Sequence, residues 1–290
     1  MAASERLAWV NGCLVGESEP SLSLLERGLT LGDGVFETML AAGTNLFRPT
    51  EHLERLAQGA SLLAIDLPPT EHLLAAVLDT LTANRLSTAV VRLTVSRGPD
   101  PGRGLDISPD LAPTIIVRAT SHEPSSPHED GLAALLSSLR RNESSPLSRV
   151  KSLSYADNVL ARLEARRRGA DEAVLLNTAG EVCCASVANL FMVRGGTLVT
   201  PPVESGALPG VTRRCVLELA AARGLTVRQT PVLPEDLRTA DEAFLTNTVV
   251  GVVSLTSLEG RPIGTGRPGE VTQLLAAEYR GLVRCSLRCG

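Results

Sequence analysis

Alternating hydrophobic and polar positions in the first 120 residues predict a small sheet with two helices. Leucine and alanine recur at helical spacing after Pro49, where Thr50 is a candidate cap, and shorter apolar runs bounded by turn residues predict strands. The predicted elements are a hairpin at 7–16, a hairpin at 34–48, helices at 49–65 and 70–85, and strands at 88–98 and 113–120. This half of the chain is therefore predicted to be an α+β unit.

The second half has a similar mixture of elements, after a segment without periodicity. Residues 121–131 are rich in proline, serine and charge, which predicts a linker between two domains. The elements predicted beyond it are a strand at 132–141, a helix at 154–169, antiparallel strands within 172–202, a helix at 209–224, a strand pair at 243–255 and a helix at 269–283. We expect a smaller N-terminal domain at 1–120 and a larger C-terminal domain at 132–290.

The composition argues against several classes of protein. Of 290 residues, 43% are hydrophobic and 21% are charged, as in globular proteins, and a net charge of −4 predicts no basic surface for nucleic acid or an anionic membrane. No stretch approaches the roughly 20 apolar residues of a membrane span, and the first residues contain no apolar signal segment. The six cysteines show no CxxC spacing, so we expect no metal site. A cytoplasmic protein is expected.

One basic residue differs from all the others. The chain has 28 lysines and arginines together, and only Lys151 is a lysine, which leaves 27 arginines. Drift toward arginine is one explanation. The other is chemical, because a desolvated lysine amine can lose its proton and act as a nucleophile or base, whereas a guanidinium stays protonated. Lys151 is therefore a candidate catalytic residue.

A second candidate feature is the start of the helix predicted at 209–224. Gly210, Val211 and Thr212 follow Pro209 there. The unpaired backbone amides of a helix start, together with the helix dipole, favour an anion such as phosphate. An ordinary capped helix has the same pattern, so this feature alone does not decide between the two alternatives.

Several motifs occur in an order that resembles one known family. They are ERGLTLGDGVFET (26–38), EHLERL (51–56), RVKSLSYADNVLA (149–161), ANLF (188–191), LPGVTR (208–213), FLTNT (244–248) and PGEVTQLL (268–275). Their order resembles the class IV aminotransferases, pyridoxal phosphate enzymes of fold type IV that include branched-chain and D-amino acid aminotransferases and 4-amino-4-deoxychorismate lyase. The resemblance implies a D-amino acid aminotransferase-like fold of two domains with the active site between them, pyridoxal 5'-phosphate as cofactor, and a homodimer.

The resemblance also implies roles for individual residues. Lys151 matches the lysine that holds the cofactor and moves protons at the reacting carbon. Arg55 matches the arginine that binds the cofactor phosphate, although by itself it has the pattern of a surface helix arginine. Tyr155 lies near a tyrosine that some members place against the cofactor ring. The remaining phosphate ligands that the resemblance implies are the amides of Val211 and Thr212 and the hydroxyl of Thr248.

Cys184 departs from the family pattern. Seven residues before the phenylalanine of ANLF, members normally carry a glutamate that keeps the pyridine nitrogen protonated, and here that position is Cys184. Glu181, three residues earlier, would point to the opposite face of a regular strand. A thiol stabilises a protonated pyridine less than a carboxylate does, so transamination should suffer more than an elimination. Cys184 is either a buried thiol or a neighbour of the ring nitrogen.

Three motif details resemble the lyase more than the aminotransferases. Thr38 ends GDGVFET, the stretch TVSRGPDPGRG (94–104) resembles an RG…GRG loop, and FLTNT with Gly251 resembles the lyase strand. This resemblance makes Thr38 a candidate catalytic residue, and Arg97 and Arg103 candidate ligands of substrate carboxylates. The alternative for Arg97 and Arg103 is that each is a solvated arginine in a loop.

We therefore expect a lyase that converts 4-amino-4-deoxychorismate to 4-aminobenzoate and pyruvate. The alternative is an aminotransferase that acts on branched-chain or D-amino acids. A third hypothesis, a non-catalytic paralogue that binds the cofactor, follows from the change at Cys184. Lys151 and Arg55 argue against this third hypothesis, because a structural protein would need neither.

Overall fold

The computed structural model describes residues 6–19, 22–102, 104–123 and 130–289, with side chains up to residue 288. The chain forms two compact units: the first comprises Met1–Glu123, Val150–Ser154 and Ser286–Gly290, and the second comprises Pro124–Arg149 and Tyr155–Cys285. Lys151 thus belongs to the first unit, whereas the expected boundaries placed it in the C-terminal domain. Residues 124–129 of the linker expected at 121–131 lie outside the described residues.

The first unit contains a six-stranded antiparallel sheet. Its strands are β1 (Leu7–Val10), β2 (Cys13–Gly16), β3 (Gly34–Ala42), β4 (Asn45–Leu46), β5 (Thr88–Ser96) and β6 (Thr114–Ser121), in the order β2-β1-β6-β5-β3-β4. Asn11 and Gly12 both have positive φ between β1 and β2, as a two-residue hairpin turn of this kind requires. Both predicted hairpins and both predicted strands of this half are confirmed.

Two helices pack against this sheet. α1 (Arg27–Thr30) is a single turn, and α2 (Pro49–Leu62) and α3 (Thr70–Asn84) supply leucines and alanines to the core. The start of α2 differs from the prediction. Pro49 takes the first helical position, where its fixed φ is favourable, and Arg48 precedes it with a φ of 54°. Thr50 is therefore inside the helix and does not cap it.

The second unit contains a larger mixed sheet. Its strands are β7 (Leu132–Arg141), β8 (Glu172–Asn177), β9 (Val182–Ala185), β10 (Asn189–Arg194), β11 (Thr197–Thr200), β12 (Thr226–Gln229), β13 (Glu242–Asn247), β14 (Gly251–Leu258) and β15 (Arg261–Pro262), in the order β12-β11-β10-β13-β14-β7-β8-β9 with β15 beside β14. The pairs β14–β7, β7–β8 and β11–β12 are parallel. The hydrophobic pattern predicted most of these strands, but it did not predict β12, β15 or the parallel pairs.

The predicted helices of the second half of the chain begin within two residues of their predicted starts, and the last one ends six residues beyond its predicted end. The helices of this half are α4 (Ala156–Arg167), α5 (Val211–Ala222), α6 (Pro234–Arg238) and α7 (Glu270–Cys289), of which the short α6 was not predicted. α4 ends as predicted just before Gly169, which has a φ of 72°. In the part of the chain that the structure describes, no helix combines the length and the apolar character needed to cross a membrane.

The segment that carries Lys151 is hydrogen-bonded to β3. The amide of Phe36 donates to the carbonyl oxygen of Lys151 at 2.9 Å, and the amide of Leu153 donates to the carbonyl oxygen of Gly34 at 2.9 Å. A Cβ at Gly34 would lie 2.5 Å from the carbonyl oxygen of Val95 and 2.7 Å from Leu153. Glycine at position 34 therefore permits the close approach that anchors the lysine backbone to β3.

Candidate active site

The amine of Lys151 lies beside an aromatic ring and near two guanidinium groups. Its Nζ is 4.2 Å from the centroid of the Phe36 ring, and Cζ of the exposed Arg92 is 3.7 Å from the same centroid. Burial, which is the largest cause, and the charges of Arg55 and Arg92 together lower the pKa of Lys151 to about 8, against the opposing charge of Glu37. An amine of this kind exchanges its proton near neutral pH, as the chemical explanation for the single lysine requires.

Glu37 is a buried carboxylate whose charge acts on this amine. Nε of Arg55 donates to its Oε1 at 2.7 Å and Nη2 of Arg55 donates to its Oε2 at 2.8 Å, while Nδ1 of His52 donates to Oε2 at 2.7 Å. Burial would raise the pKa of Glu37, but the charge of Arg55 and the hydrogen bonds from His52 and Arg55 lower it to about 2. Glu37 and His52 lie in two of the family motifs, but nothing in the sequence pattern indicates that they belong to the site.

Arg97 is almost fully engaged by hydrogen bonds within its own unit. Its guanidinium donates to both oxygens of Asp33, at 2.7 and 3.2 Å, and to the carbonyl oxygens of Leu63 and Ala64, at 2.6 and 2.8 Å. These contacts occupy four of its five N–H groups, and the side chain is only 9% exposed. The geometry argues against the carboxylate-binding role predicted for Arg97. Arg103 lies outside the described residues.

Thr38 and Arg92 stand opposite each other on neighbouring strands. Thr38 on β3 pairs in register with Arg92 on β5, and Thr38 is half-buried. The alternation of side chains puts Thr38 and Phe36 on the same face of β3. Arg92, which the sequence motifs did not indicate, is therefore a cation on the face of the sheet that carries Phe36.

The start of α5 in the second unit has the predicted form. Gly210 precedes the helix in an extended conformation, and Val211 and Thr212 are its first residues. The side chain of Asn189, in the ANLF motif, donates to the carbonyl oxygen of Leu208 at 2.8 Å, and a Cβ at Gly210 would lie 2.0 Å from Oδ1 of Asn189. Two motifs far apart in sequence therefore hold this helix start together.

The other candidate ligands of the second unit lie at the ends of its elements. The hydroxyl of Thr212 pairs with that of Tyr279 at 3.3 Å. Thr248 is in the turn between β13 and β14, where Oδ1 of Asn247 accepts the amides of the two residues after Thr248, each at 2.9 Å. Tyr155 is half-buried at the start of α4. The roles implied for these residues stay predictions.

Cys184 is buried on β9 beside a second thiol. The pairing of β9 with β8 shifts by one residue here, which leaves Cys183 in a bulge. The two sulfur atoms are 3.6 Å apart, and the thiol of Cys183 donates to the carbonyl oxygen of Leu175 at 3.3 Å. The carboxylate of Glu181 accepts hydrogen bonds from Asn177 at 2.9 Å and from Ser205 at 3.0 Å.

The surroundings of the two thiols shift their pKa values in opposite directions. The hydrogen bond with Cys183 and the charge of Arg141 lower the pKa of Cys184, against burial and the charge of Glu172. The hydrogen bond with Cys184 and burial raise the pKa of Cys183. Cys184 can therefore carry a negative charge more readily than an ordinary buried thiol. Among the described residues, no three His, Cys, Asp or Glu side chains are grouped so that they could hold a metal ion.

Comparison with known proteins identifies the family. A family model described as amino-transferase class IV matches residues 34–258. The chain is 39% identical to the "Putative branched-chain-amino-acid aminotransferase" of Methanocaldococcus jannaschii, over 94% of this chain and 95% of that protein. The branched-chain aminotransferase structure from Escherichia coli aligns with a TM-score of 0.90 at 28% identity, covering 96% of this chain and 94% of that one. The chain belongs to the class IV aminotransferase family.

The fold of that family, fold type IV, is the fold of this protein, as the resemblance implied. A structure from Legionella pneumophila, titled "Putative 4-amino-4-deoxychorismate lyase", aligns with a TM-score of 0.84 at 24% identity, covering 92% of this chain and 97% of that one. At this identity the likeness concerns the fold alone. The protein is a pyridoxal phosphate-dependent enzyme of the class IV family.

Proposed function

We propose that the protein is a branched-chain amino acid aminotransferase. The observation that carries this proposal is the 39% identity to a relative named for that activity, over nearly the whole of both chains. Further relatives of that name, from Escherichia coli and Salmonella typhimurium, are 30% identical. The lyase that the motif details favoured has weaker support than its alternative, because the likeness to a lyase concerns the fold alone.

The residues present fit the cofactor. When bound, pyridoxal phosphate supplies an aldehyde that bonds to amino groups and a ring that withdraws electrons from the carbon to be deprotonated. Lys151, with its pKa near 8, has the amine that would bond to the aldehyde, and Arg55 in the same unit has the guanidinium that would pair with the phosphate. Val211, Thr212 and Thr248 stay the predicted further phosphate ligands.

Lys151 is the group that we assign to proton transfer at the substrate α-carbon. Its lowered pKa lets it accept and return a proton near neutral pH, which suits a general acid and base. Arg92, whose guanidinium stacks on the same Phe36 ring as the amine, replaces Arg97 as our candidate for the substrate carboxylate. The half-buried Thr38 stays a candidate beside Arg92. The homodimer and an active site between two domains stay predictions.

A paired assay tests the proposed function. We expect amino transfer to 2-oxoglutarate from L-leucine, L-isoleucine and L-valine, and little transfer from D-amino acids. Pyruvate release from 4-amino-4-deoxychorismate should be absent or much slower. Efficient pyruvate release without transfer from the branched-chain donors would establish the lyase instead, and a purified protein that takes up no cofactor would support the non-catalytic paralogue.

Cys184→Glu should raise the rate of amino transfer by roughly two- to tenfold. A carboxylate stabilises a protonated pyridine nitrogen better than a thiol does, even one whose pKa is lowered by Cys183 and Arg141. The measurement is kcat with a branched-chain donor, together with the visible spectrum of the bound cofactor. Cys13→Ser, at an exposed thiol, is the control. An unchanged rate and spectrum in Cys184→Glu would mean that position 184 does not contact the ring.

A further inference from the structure

Glu37 is the most completely buried carboxylate near Lys151. Its side chain is 0% exposed, and the described structure gives it hydrogen bonds from Arg55, from His52 and from the amide of Thr38 at 3.2 Å. Removing a charged group from water is costly unless several donors compensate it. Three separate donors converge here on one carboxylate, and none of the roles assigned above to Lys151 and Arg55 accounts for it.

The position of Glu37 links it to both functional cations. Glu37 follows Phe36, whose amide holds the carbonyl oxygen of Lys151, so the strand that anchors the lysine backbone also carries the carboxylate. Arg55 comes from α2 and meets Glu37 through its Nε–Nη2 edge. A two-point fork of this kind fixes the plane of a guanidinium, and the Nη1 end then points away from Glu37.

We propose that Glu37 is a positioning residue with two tasks: it fixes the guanidinium of Arg55, and it balances the positive charge around the amine of Lys151. The proposal rests on the proposed function, because it takes Lys151 as the reacting amine. His52 completes the arrangement by donating its Nδ1 hydrogen to the oxygen that also accepts from Nη2 of Arg55.

The electrostatic task has a definite sign. The charged groups that act on Lys151 are Glu37 on β3, Arg55 on α2 and Arg92 on β5, one anion against two cations. The pKa of Glu37 is about 2, so its charge is constant at every pH near neutrality. Without that charge, Arg55 and Arg92 would act unopposed and the ammonium form of Lys151 would become less stable.

The single lysine makes this measurable in the full-length chain. Lysine labelled with ¹³C and ¹⁵N gives a single Cε–Nζ correlation in the NMR spectrum, and its titration in the cofactor-free protein reports Lys151 alone. We expect a midpoint near pH 8 in the wild type. Glu37→Gln should lower the midpoint by roughly one pH unit, and Arg55→Gln should raise it. Removing both charges should return it toward the wild-type value.

A purely structural role predicts the opposite sign. If Glu37→Gln merely loosened the packing, water would reach Lys151 and its pKa would rise toward the ordinary value of 10.5. Glu26→Gln is the matched control, because Glu26 is 3% exposed, accepts several hydrogen bonds in the same unit, and is not among the charges acting on Lys151. A rise or no change in Glu37→Gln overturns the proposal, as does an equal fall in Glu26→Gln.

Two further readouts keep the test decisive. If Glu37→Gln does not fold, the difference between Arg55→Gln and the double variant isolates the same effect of Glu37. In the holoenzyme, Glu37→Gln should weaken cofactor binding about tenfold, since Arg55 loses its fork. A shifted Lys151 pKa in a protein that transfers no amino group would refute the proposed function and leave the inference standing. Normal amino transfer by the wild type, with a Lys151 pKa that Glu37→Gln does not shift, would support the proposed function and refute the inference.

Discussion

Replacing Lys151 with arginine should abolish amino transfer, with kcat lowered at least about 10³-fold. Arginine keeps the positive charge but cannot lose its proton, so it can neither bond to the cofactor nor take a proton from the substrate. The measurement is amino transfer from L-leucine to 2-oxoglutarate under saturating cofactor. Lys151→Ala should be equally inactive but partly restored by small primary amines, which can enter the space that the side chain leaves.

The controls for this result use the unusual composition of the chain. Arg149→Lys adds a lysine two residues away at an exposed position and should leave the activity unchanged. The double variant Arg149→Lys with Lys151→Arg has the wild-type number of lysines and should be inactive. Substantial activity in Lys151→Arg would mean that position 151 needs only a charge, and drift would then explain the single lysine.

Lys151→Met should stabilise the cofactor-free chain by about 3 kcal/mol at pH 7. The pKa of Lys151 falls from 10.5 to about 8 on folding, a difference of 2.5, and each pKa unit corresponds to about 1.4 kcal/mol. Below pH 8 Lys151 is protonated in both the folded and the unfolded chain. Burial of the ammonium then lowers the free energy of unfolding of the wild type by this amount. Urea unfolding of both proteins at pH 7 measures the difference.

The pH dependence separates this effect from ordinary packing. Wild-type stability relative to Lys151→Met should recover as the pH rises from 8 through 10.5, because the folded chain holds neutral lysine there while the unfolded chain is still protonated. Arg118→Met, which removes an exposed cation that is not among the charges acting on Lys151, should leave the change in stability between pH 7 and pH 10 as it is in the wild type. An advantage of Lys151→Met that is equal at both pH values would contradict the titration argument.

Much of the local structure follows from the sequence because short-range rules decide it. The Asn-Gly turn after β1, the helical spacing in α2 and α3, and Gly169 after α4 each act over a few residues, and each prediction is confirmed. The start of α2 was predicted wrongly at Thr50 because a proline at the first helical position competes with a side-chain cap. The parallel pairs of the second sheet join residues far apart, which a local pattern does not encode.

The candidate site divides along the same line. Lys151 can be recognised from the sequence because it is the single lysine in a chain rich in arginine. The family can be recognised from the order of the motifs. The motif made Arg97 a candidate ligand of the substrate carboxylate. In the fold, its guanidinium donates instead to Asp33 and to two backbone carbonyl oxygens. Cys184 could be recognised as a departure in sequence, whereas its hydrogen bond with Cys183 depends on a bulge.

The sequence by itself determined the amine at position 151, the family and most of the elements, because these depend on residue identity and on spacing along the chain. The tertiary structure alone decided which charges surround that amine. Glu37, Arg55 and Arg92 come from three elements, and only the packing of α2 and the pairing of β3 with β5 bring them to Lys151. Electrostatic interactions depend on distance and burial, so the reactivity of the lysine is a property of the fold.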